Sequence, residues 1–357
     1  MNNSFVERTR QFWEWFGQHE ERLSALLQDI SGAGQADEIV ETVRQGLSLI
    51  SEDLLFNAGG DHEFTFSVFG DSTMLLLLPY ITTALPEQYR NKWTFHPCMP
   101  PKQGQDFSIN MNGVEVSSKN VMLSVSPHEA GSFADVRFYA KEWEGLDDEQ
   151  ACGAFFTLMD NVIGELLSVY CVGRVERAQE HESGMIPLTQ LEDWLKANVC
   201  DNGELPDPAQ RWSGYEAEPQ NSDPRMDVFA GFSSCTPLID GYYYNDSSAY
   251  DKFVGFGAKP VFLYYSYAGT TDDQKLVLDE RNALIDRLEA EVLGISGSGQ
   301  EIGLQLGAAV GQHNVYIDML LFDEQAFFER IKPLMADFGH IVYCKEYTPA
   351  GQEFILS

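Results

Sequence analysis

The order of strand-like and helix-like segments in the C-terminal third of the chain constrains the fold more than any other feature. Strands show apolar residues in short runs or in alternation, whereas helices repeat them every three or four residues. By these patterns, the segments alternate as strand, helix, strand, strand, helix and strand. They cover residues 259–267, 272–293, 301–310, 315–322, 323–338 and 341–347.

This β-α-β-β-α-β order is that of the ferredoxin-like arrangement, in which helices cover one face of an antiparallel sheet. The first half also mixes helix-like and strand-like segments, which predicts a decorated α+β sheet. The polar stretch 201–225 has four prolines and no periodicity, so it predicts a linker or, as the alternative, a surface loop. The chain is therefore expected to be α+β with two domains, residues 1–200 and 226–357, the second of them ferredoxin-like.

Two short repeats relate the halves of the sequence. DEQA occurs at residues 148–151 and 323–326, and VYC occurs at residues 169–171 and 342–344. In both halves a predicted strand leads to DEQA, then to a helix, and then to VYC in a strand. This shared order is compatible with an old duplication of one α+β unit, and chance identity of such short segments is the alternative.

The charge of the chain excludes several classes of partner. There are 23 Lys and Arg residues against 55 Asp and Glu residues, a formal net charge of −32. Such a surface repels the phosphates of nucleic acids and the anionic surface of a membrane. The same field would attract a basic protein, and solubility is the simpler explanation of the charge.

The sequence indicates a cytoplasmic protein without a metal or cofactor. The opening MNNSFVERTR lacks the apolar core of a signal peptide, and Pro79 breaks the longest apolar run. The six cysteines form no Cys-x-x-Cys pair, which favours reduced thiols packed as small apolar groups. The histidines and acidic clusters show no zinc or calcium spacing, and no phosphate-binding glycine loop precedes a helix.

The tyrosine-rich strand at residues 259–267 is the candidate binding element. Tyr265 and Tyr267 point to one face and Tyr264 to the other, because side chains alternate along a strand. One face must pack on helices, and the other is expected to expose aromatic rings of the kind found at interfaces. Packing of these rings in the core is the alternative interpretation.

A Gly-Asp-Ser segment offers a candidate nucleophile. Gly70-Asp71-Ser72 follows a strand-like run and precedes an apolar, helix-like pattern. It resembles the first block of the GDS(L) lipase and esterase family, in which this serine attacks an ester. The resemblance implies a nucleophile at Ser72, with Asp337 and His340 of an Asp-x-x-His segment as its partners. The alternative is that Asp71 or Ser72 caps the following helix.

The opening segment carries a second resemblance. Apolar residues at heptad-like spacing from Phe5 to Leu27 predict a helix of about six or seven turns. Within it, FWEWFGQHE resembles the N-terminus of a group of uncharacterised bacterial proteins with the pattern Phe-Trp-x-Trp-Phe followed by a polar Asn/His-Glu pair. The residues concerned are Phe12, Trp13, Trp15, Phe16, His19 and Glu20. This resemblance implies no particular activity.

The region from about residue 227 to residue 347 resembles bacterial domains of unknown function related to the ribonuclease E regulator B fold. The resemblance rests on the order of elements and on acidity. Those domains are small, acidic and ferredoxin-like, and they act by binding protein. The resemblance therefore implies an interaction role and points to no site residues.

Taken together, these features predict an acidic, non-enzymatic bacterial protein that binds another protein, as a regulator, inhibitor or immunity-type factor. Two alternatives remain open. One is a serine hydrolase built on Ser72. The other is a small-molecule-binding module between the two halves that uses the tyrosine-rich strand.

Overall fold

The computed structural model describes residues 3–28, 33–59, 62–102, 105–111, 113–128, 132–267 and 273–356. Contacts along the chain divide it into two compact units. Unit 1 consists of Met1–Phe64, Thr73–Phe95 and Ala209–Ser357, and unit 2 consists of Thr65–Ser72 and His96–Pro208. Helices accompany antiparallel and mixed sheets, so the class is α+β. The domain boundaries expected at residues 200 and 226 stay a prediction.

Helices and strands follow one another irregularly along the chain. The helices are α1 (Phe5–Gln28), α2 (Ala33–Leu47), α3 (Leu78–Thr83), α4 (Asp148–Ile163), α5 (Glu165–Cys171), α6 (Leu191–Asn198), α7 (Thr236–Tyr244), α8 (Ser248–Gly255), α9 (Gln274–Arg287) and α10 (Glu324–Asp337). The strands are β1 (Leu55–Gly59), β2 (Glu63–Ser67), β3 (Thr94–His96), β4 (Ser108–Met111), β5 (Val114–Ser117), β6 (Met122–Pro127), β7 (Ala134–Tyr139), β8 (Val172–Arg177), β9 (Ile186–Pro187), β10 (Ser213–Glu216), β11 (Val228–Ser233), β12 (Lys259–Ser266), β13 (Gly303–Gly311), β14 (Asn314–Leu321), β15 (Tyr343–Glu346) and β16 (Glu353–Ile355). A π-helical segment, Leu288–Leu293, continues α9.

The largest sheet lies in unit 1 and has the strand order β10-β11-β13-β14-β12-β15-β16. Every adjacent pair in it is antiparallel. The six elements predicted from residue 259 onward are all present, as β12, α9, β13, β14, α10 and β15. Asp272, the first residue of the predicted long helix, lies outside the described residues. The stretch predicted to be a linker contains β10, which extends the sheet.

Both faces of this sheet are covered. On one side, Val261 and Tyr265 of β12 face a core closed by α9, the π-helical segment and α10. Phe262 lies on the opposite face. There its ring centroid is 5.7 Å from that of Tyr242 in α7 and 5.5 Å from that of Tyr347. Helices α9 and α10, which belong to the predicted β-α-β-β-α-β unit, therefore share one face of the sheet, and α7, which precedes that unit, lies on the other face.

Helix α1 packs in unit 1 through a stripe of aromatic residues. Phe5 and Phe16 are fully buried. The ring of Phe5 meets that of Phe322 edge to face at 5.2 Å, and the indole N–H of Trp13 donates to the carbonyl of Ile81 at 3.0 Å. The long N-terminal helix predicted from the apolar spacing is confirmed, since α1 has 24 residues.

Unit 2 is built around a four-stranded sheet with the order β8-β7-β6-β9. Strands β7 and β8 are parallel, whereas the other adjacent pairs are antiparallel. Helix α4 packs on this sheet, because Phe155 of the helix stacks on Phe138 of β7 at 4.3 Å. The carboxylate of Asp147 caps the helix by accepting the amide N–H of Gln150 at 2.8 Å.

The two VYC segments do not share one secondary structure, which corrects the prediction that both lie in strands. Residues 169–171 end helix α5, whereas Tyr343 and Cys344 begin strand β15. Valine and tyrosine are common in strands. In unit 2 this preference is outweighed by packing, because a short helix buries Leu167, Tyr170 and Cys171 on one side.

Gly164 turns the chain between α4 and α5. It has φ +80° and ψ 160°, a conformation that is essentially restricted to glycine. A Cβ there would lie 2.7 Å from the nitrogen of Pro101 and 2.8 Å from the carbonyl oxygen of Met99.

Taken singly, none of the described helices is long and apolar enough to cross a membrane. Helices α4 and α5 meet that test only as a pair bent by 115°.

Because a Cβ at Gly164 would meet the backbone of Pro101 and Met99, a side chain there should destabilise the protein. We expect Gly164→Ala to lower the free energy of unfolding by about 2 kcal/mol or more, from backbone strain and overpacking together. Gly153→Ala is the matched control, because that glycine lies within α4 and a Cβ there meets nothing within 4 Å. The control should stabilise by about 0.5–1 kcal/mol. Chemical denaturation measures both, and a similar effect at the two positions would argue against this account of the bend.

Candidate functional site

The Gly-Asp-Ser segment forms a turn. Phe69 and Gly70 have positive φ values of 53° and 69°. The carbonyl of Ser72 accepts a hydrogen bond from the Tyr170 hydroxyl at 3.1 Å. The apolar pattern after Ser72 begins with a 3₁₀ turn at Met74–Leu76 and continues as α3. The continuous helix expected directly after the serine is therefore replaced by two short pieces.

Glu165 holds this turn in place. Its side chain is buried, and its carboxylate accepts the amide N–H of Gly70 at 2.6 Å and that of Met99 at 3.3 Å. Burial raises the pKa of Glu165, and the two amide hydrogen bonds partly oppose this rise. A structural role of the Gly-Asp-Ser turn is thus sufficient to explain its geometry.

The predicted catalytic residues are distributed over both units. Ser72 belongs to unit 2, whereas Asp337 and His340 belong to unit 1. Asp337 is the exposed last residue of α10. The Nε2 atom of His340 lies 3.2 Å from Oε1 of Glu280, and its ring packs against Tyr265 at 4.8 Å. The hydrolase formed by these three residues stays a prediction.

Two of the three tyrosines proposed for binding are buried. Tyr264 and Tyr265 are 9% and 1% exposed. Tyr264 stacks on Tyr343 at 4.9 Å and donates its hydroxyl to Glu353 at 2.8 Å. The exposed aromatic face expected of this strand is therefore wrong for these two residues. Tyr267, just beyond β12, is partly exposed.

An ion pair is buried on the face of the large sheet that Phe262 occupies. The guanidinium of Arg225 contacts the carboxylate of Asp318 in β14 through two nitrogens, and both side chains are at most 1% exposed. It also donates to the hydroxyl of Tyr215 at 2.9 Å. Its carbon lies 4.7 Å from the ring centroid of Tyr347 and 5.3 Å from that of Phe262. We call these five residues the Arg225 cluster.

A second buried carboxylate lies beside this cluster. Asp227 accepts the backbone N–H groups of His313 at 2.9 Å and of Asn314 at 3.2 Å, which form the turn between β13 and β14. It also accepts the hydroxyl of Tyr316. Because Tyr316 in turn accepts the amide N–H of Arg225 at 2.8 Å, the chain just before β11 is fastened to the sheet at several points.

A cavity of about 270 Å³ opens between helix α9 and strand β11. Its walls are mostly apolar, with Ala230 and Phe232 from β11, Val310 from β13 and Val277 from α9. Tyr267 contributes its ring to the same wall. We call this cavity the α9 pocket, and it lies entirely within unit 1.

Gly231 gives the α9 pocket a wall of bare backbone. A Cβ at this position would lie 2.6 Å from the hydroxyl oxygen of Tyr215. The glycine is therefore required where β11 passes the tyrosine that hydrogen-bonds Arg225. Gly231 therefore borders both the α9 pocket and the Arg225 cluster.

Arg281 of α9 brings a positive charge to the pocket. The residue is 7% exposed, and its Nε and Nη2 atoms donate to Oδ1 of Asn282 at 3.2 and 2.9 Å. Its guanidinium carbon lies 5.5 Å from the ring centroid of Phe232. Burial lowers the pKa of Arg281, yet a guanidinium stays protonated in proteins. Among the residues that the structure describes, no carboxylate forms an ion pair with it.

The α9 pocket is suited to binding an apolar molecule that carries a negative charge. Its polar groups among the described residues are the guanidinium of Arg281, the amide of Gln274 and the hydroxyl of Tyr267. The Tyr267 hydroxyl is already engaged, since it donates to the carbonyl of Gly311 at 2.8 Å. Over the described ranges, no group of three His, Cys, Asp or Glu side chains could hold a metal ion.

Three residues that define these sites, Arg225, Arg281 and Asp318, were not predicted from the sequence. Asp318 could have been recognised as a candidate, because its carboxylate interrupts the apolar run VYIDMLL. Arg281 could also have been recognised, because helical spacing places it on the same face of α9 as the buried Val277 and Leu284. Arg225 could not have been recognised, since it is the last residue of a polar stretch that resembles a linker.

Comparison with known proteins gives no match: no family model, no curated protein and no solved structure is similar to this chain. The resemblances drawn from the opening helix, the Gly-Asp-Ser segment and the C-terminal half therefore receive no support from these comparisons.

Breaking the buried ion pair should cost far more stability than replacing it. We expect Arg225→Met and Asp318→Leu, each alone, to lower the free energy of unfolding by about 3–5 kcal/mol, because each strands a buried charge. The double variant should recover most of that loss, since an apolar replacement of a buried pair is often neutral. Chemical denaturation of the four proteins gives the coupling energy.

The control for this cycle is an exposed ion pair. Arg287 lies 2.8 Å from Glu291 with both side chains at least 41% exposed. Arg287→Met should leave the free energy of unfolding nearly unchanged, because solvent screens an exposed ion pair. Losses that simply add in the double variant of the buried pair would show that Arg225 and Asp318 do not act together.

Proposed function

We propose that this chain is a small-molecule-binding protein whose ligand occupies the α9 pocket. The observation that carries the proposal is a buried guanidinium, that of Arg281, lining an otherwise apolar cavity. Small-molecule sites are concave and mostly apolar, with a few polar groups that orient the ligand. Tyr267, one of the tyrosines predicted to bind, also lines this pocket.

The walls of the pocket belong to regular elements, which supports a preformed site. Strand β11 is hydrogen-bonded on both sides, to β10 and to β13, and Val277 and Arg281 project from an ordered helix. Sites on strands and helices hold their geometry better than sites on loops. A preformed pocket also loses less conformational entropy when a ligand binds.

Filling the pocket should prevent binding. Ala230→Phe places a ring in the cavity, and a strand tolerates an aromatic side chain well. We expect it to weaken the binding of indole, a small neutral aromatic probe, by about tenfold or more, because the probe and the new ring compete for one volume. Isothermal titration calorimetry measures the affinity, and the Tm checks folding.

The matched control is Ser213→Phe, at an exposed position on the neighbouring strand β10. It adds the same ring outside the pocket and should bind indole as the wild type does. Unchanged indole binding in Ala230→Phe, or weakened binding in both variants, would count against the pocket as the ligand site.

We further propose that the C-terminal domain contains a ferredoxin-like unit. Its antiparallel strand order β13-β14-β12-β15 supports this, as do α9 after β12 and α10 after β14. A duplication that relates the two halves stays a proposal with mixed support. DEQA occurs at the start of a helix in both halves, α4 and α10, whereas the two VYC segments differ.

A net charge of −32 supports a second candidate function, the binding of a basic protein as a regulator, inhibitor or immunity-type factor. A cytoplasmic location would suit it. Among the described residues no cysteine forms a disulfide, which supports a reducing compartment.

Association with such a partner should depend on salt. The immobilised chain should capture a basic protein from a bacterial lysate, and the purified pair should lose affinity steeply as ionic strength rises, because exposed charges are screened. An unrelated acidic protein of similar net charge is the control. Equal capture by that control would show that charge alone holds the complex and would refute a specific partner.

A further inference from the structure

We propose that the ligand of the α9 pocket is a small monocarboxylate with a compact apolar body, bound through the guanidinium of Arg281. This inference deepens the proposed function and rests on it. It follows from the way Arg281 is held and from its contrast with Arg225.

Unit 1 buries two arginines that differ in their surroundings. Arg225 is fully buried and meets Asp318 through two nitrogens. Arg281 is 7% exposed and forms no ion pair with a carboxylate of the described chain, although the charge of Asp318 also acts on it from a longer distance. A buried cation is stable only when an opposite charge or a full set of hydrogen bonds compensates for its lost hydration. A bound anion would supply the compensation that Asp318 gives to Arg225.

The guanidinium of Arg281 keeps donors free for such an anion. Its Nε and Nη2 atoms both donate to one oxygen, Oδ1 of Asn282. A guanidinium has five N–H groups in a planar fork. The N–H groups on Nη1 and one on Nη2 are therefore left over, since no other described residue accepts them. Two parallel N–H groups match the two oxygens of a carboxylate.

The walls of the pocket specify the remainder of the ligand. Phe232, Val277 and Val310 offer carbon surface and no side-chain donor. A dianion such as phosphate would therefore keep one charge unmatched in an apolar site, whereas a monocarboxylate is neutralised by one guanidinium. The volume of about 270 Å³ is near the lower end of small-molecule sites, roughly 300–1,000 Å³. The apolar body is accordingly a single ring or a medium-length chain.

Calorimetric titration with matched acids and amides tests the inference. The probes are phenylacetate and octanoate, each compared with its neutral amide. Charge-assisted hydrogen bonds are about twice as strong as neutral ones, so the wild type should bind each acid about tenfold or more tightly than its amide. Arg281→Met keeps an apolar stem without the charge and should lose this preference. Arg281→Lys should keep only part of it, because an ammonium cannot make the two-pronged contact.

Arg287→Met is the matched control for these variants. Arg287 lies on the same helix, is exposed and pairs with Glu291. This variant should show the same preference for the acids as the wild type. Any loss of that preference in the control would mean that the helix charge as a whole, and not Arg281, selects the acid, and it would overturn the inference.

Thermal unfolding gives an independent measurement. Without ligand, Arg281→Met should have a higher Tm than the wild type, because it removes a buried charge that no ion pair of the described residues compensates. Saturating phenylacetate should raise the Tm of the wild type and leave that of Arg281→Met nearly unchanged. A ligand-free Arg281→Met with a lower Tm would indicate that Arg281 is already satisfied, which would overturn the inference.

The outcomes separate this inference from the proposed function. Equal affinity of acid and amide in the wild type overturns the preference for carboxylates. The proposed function survives that result if Ala230→Phe abolishes the binding of both probes. If no probe binds, or if Ala230→Phe binds all of them normally, both proposals are wrong. Should Arg281→Met not fold, Arg281→Lys and the acid-to-amide ratio of the wild type still decide.

Discussion

The buried ion pair between Arg225 and Asp318 is the interaction on which unit 1 depends. Two charges removed from water are tolerated only when attraction and hydrogen bonds offset the lost hydration. Here the hydroxyl of Tyr215 accepts a further hydrogen bond from the guanidinium, and the faces of aromatic rings pack around it. Tyr215 belongs to β10 and Tyr347 follows β15, and four strands separate β10 from β15 in the sheet. The pair thus draws together parts of the sheet that share no hydrogen-bond ladder.

The same interaction holds in place a segment that has little regular secondary structure. Residues 209–227 contain short elements and two prolines, yet they end in two fully buried side chains, Arg225 and Asp227. Arg225 itself has a left-handed backbone, with φ +68°. Such a conformation is unfavourable for a residue other than glycine and persists only when its surroundings fix it. The ion pair and the hydrogen bonds of Asp227 provide that fixation.

Much of the C-terminal fold could be predicted, because its elements are long and strongly periodic. Strand β12 and helix α10 appear within a few residues of the predicted bounds. The partners of Arg225 could not be predicted, because Asp318 lies 93 residues away and no local pattern links the two. The alternation in β12 correctly assigned Tyr264 and Tyr265 to opposite faces. It could not show that both faces are covered, since this depends on where α7 and the C-terminal strands pack.

Gly231 separates the α9 pocket from the Arg225 cluster by one layer of backbone. Any side chain there would push Tyr215 away from the arginine, as the 2.6 Å approach of a Cβ to its hydroxyl oxygen indicates. Larger or smaller side chains at Ala230 or Val310, which line the pocket, would change its volume without entering the Arg225 cluster. A side chain at Gly231 would instead enter that cluster, so the pocket can vary along its side-chain walls but not along its backbone wall.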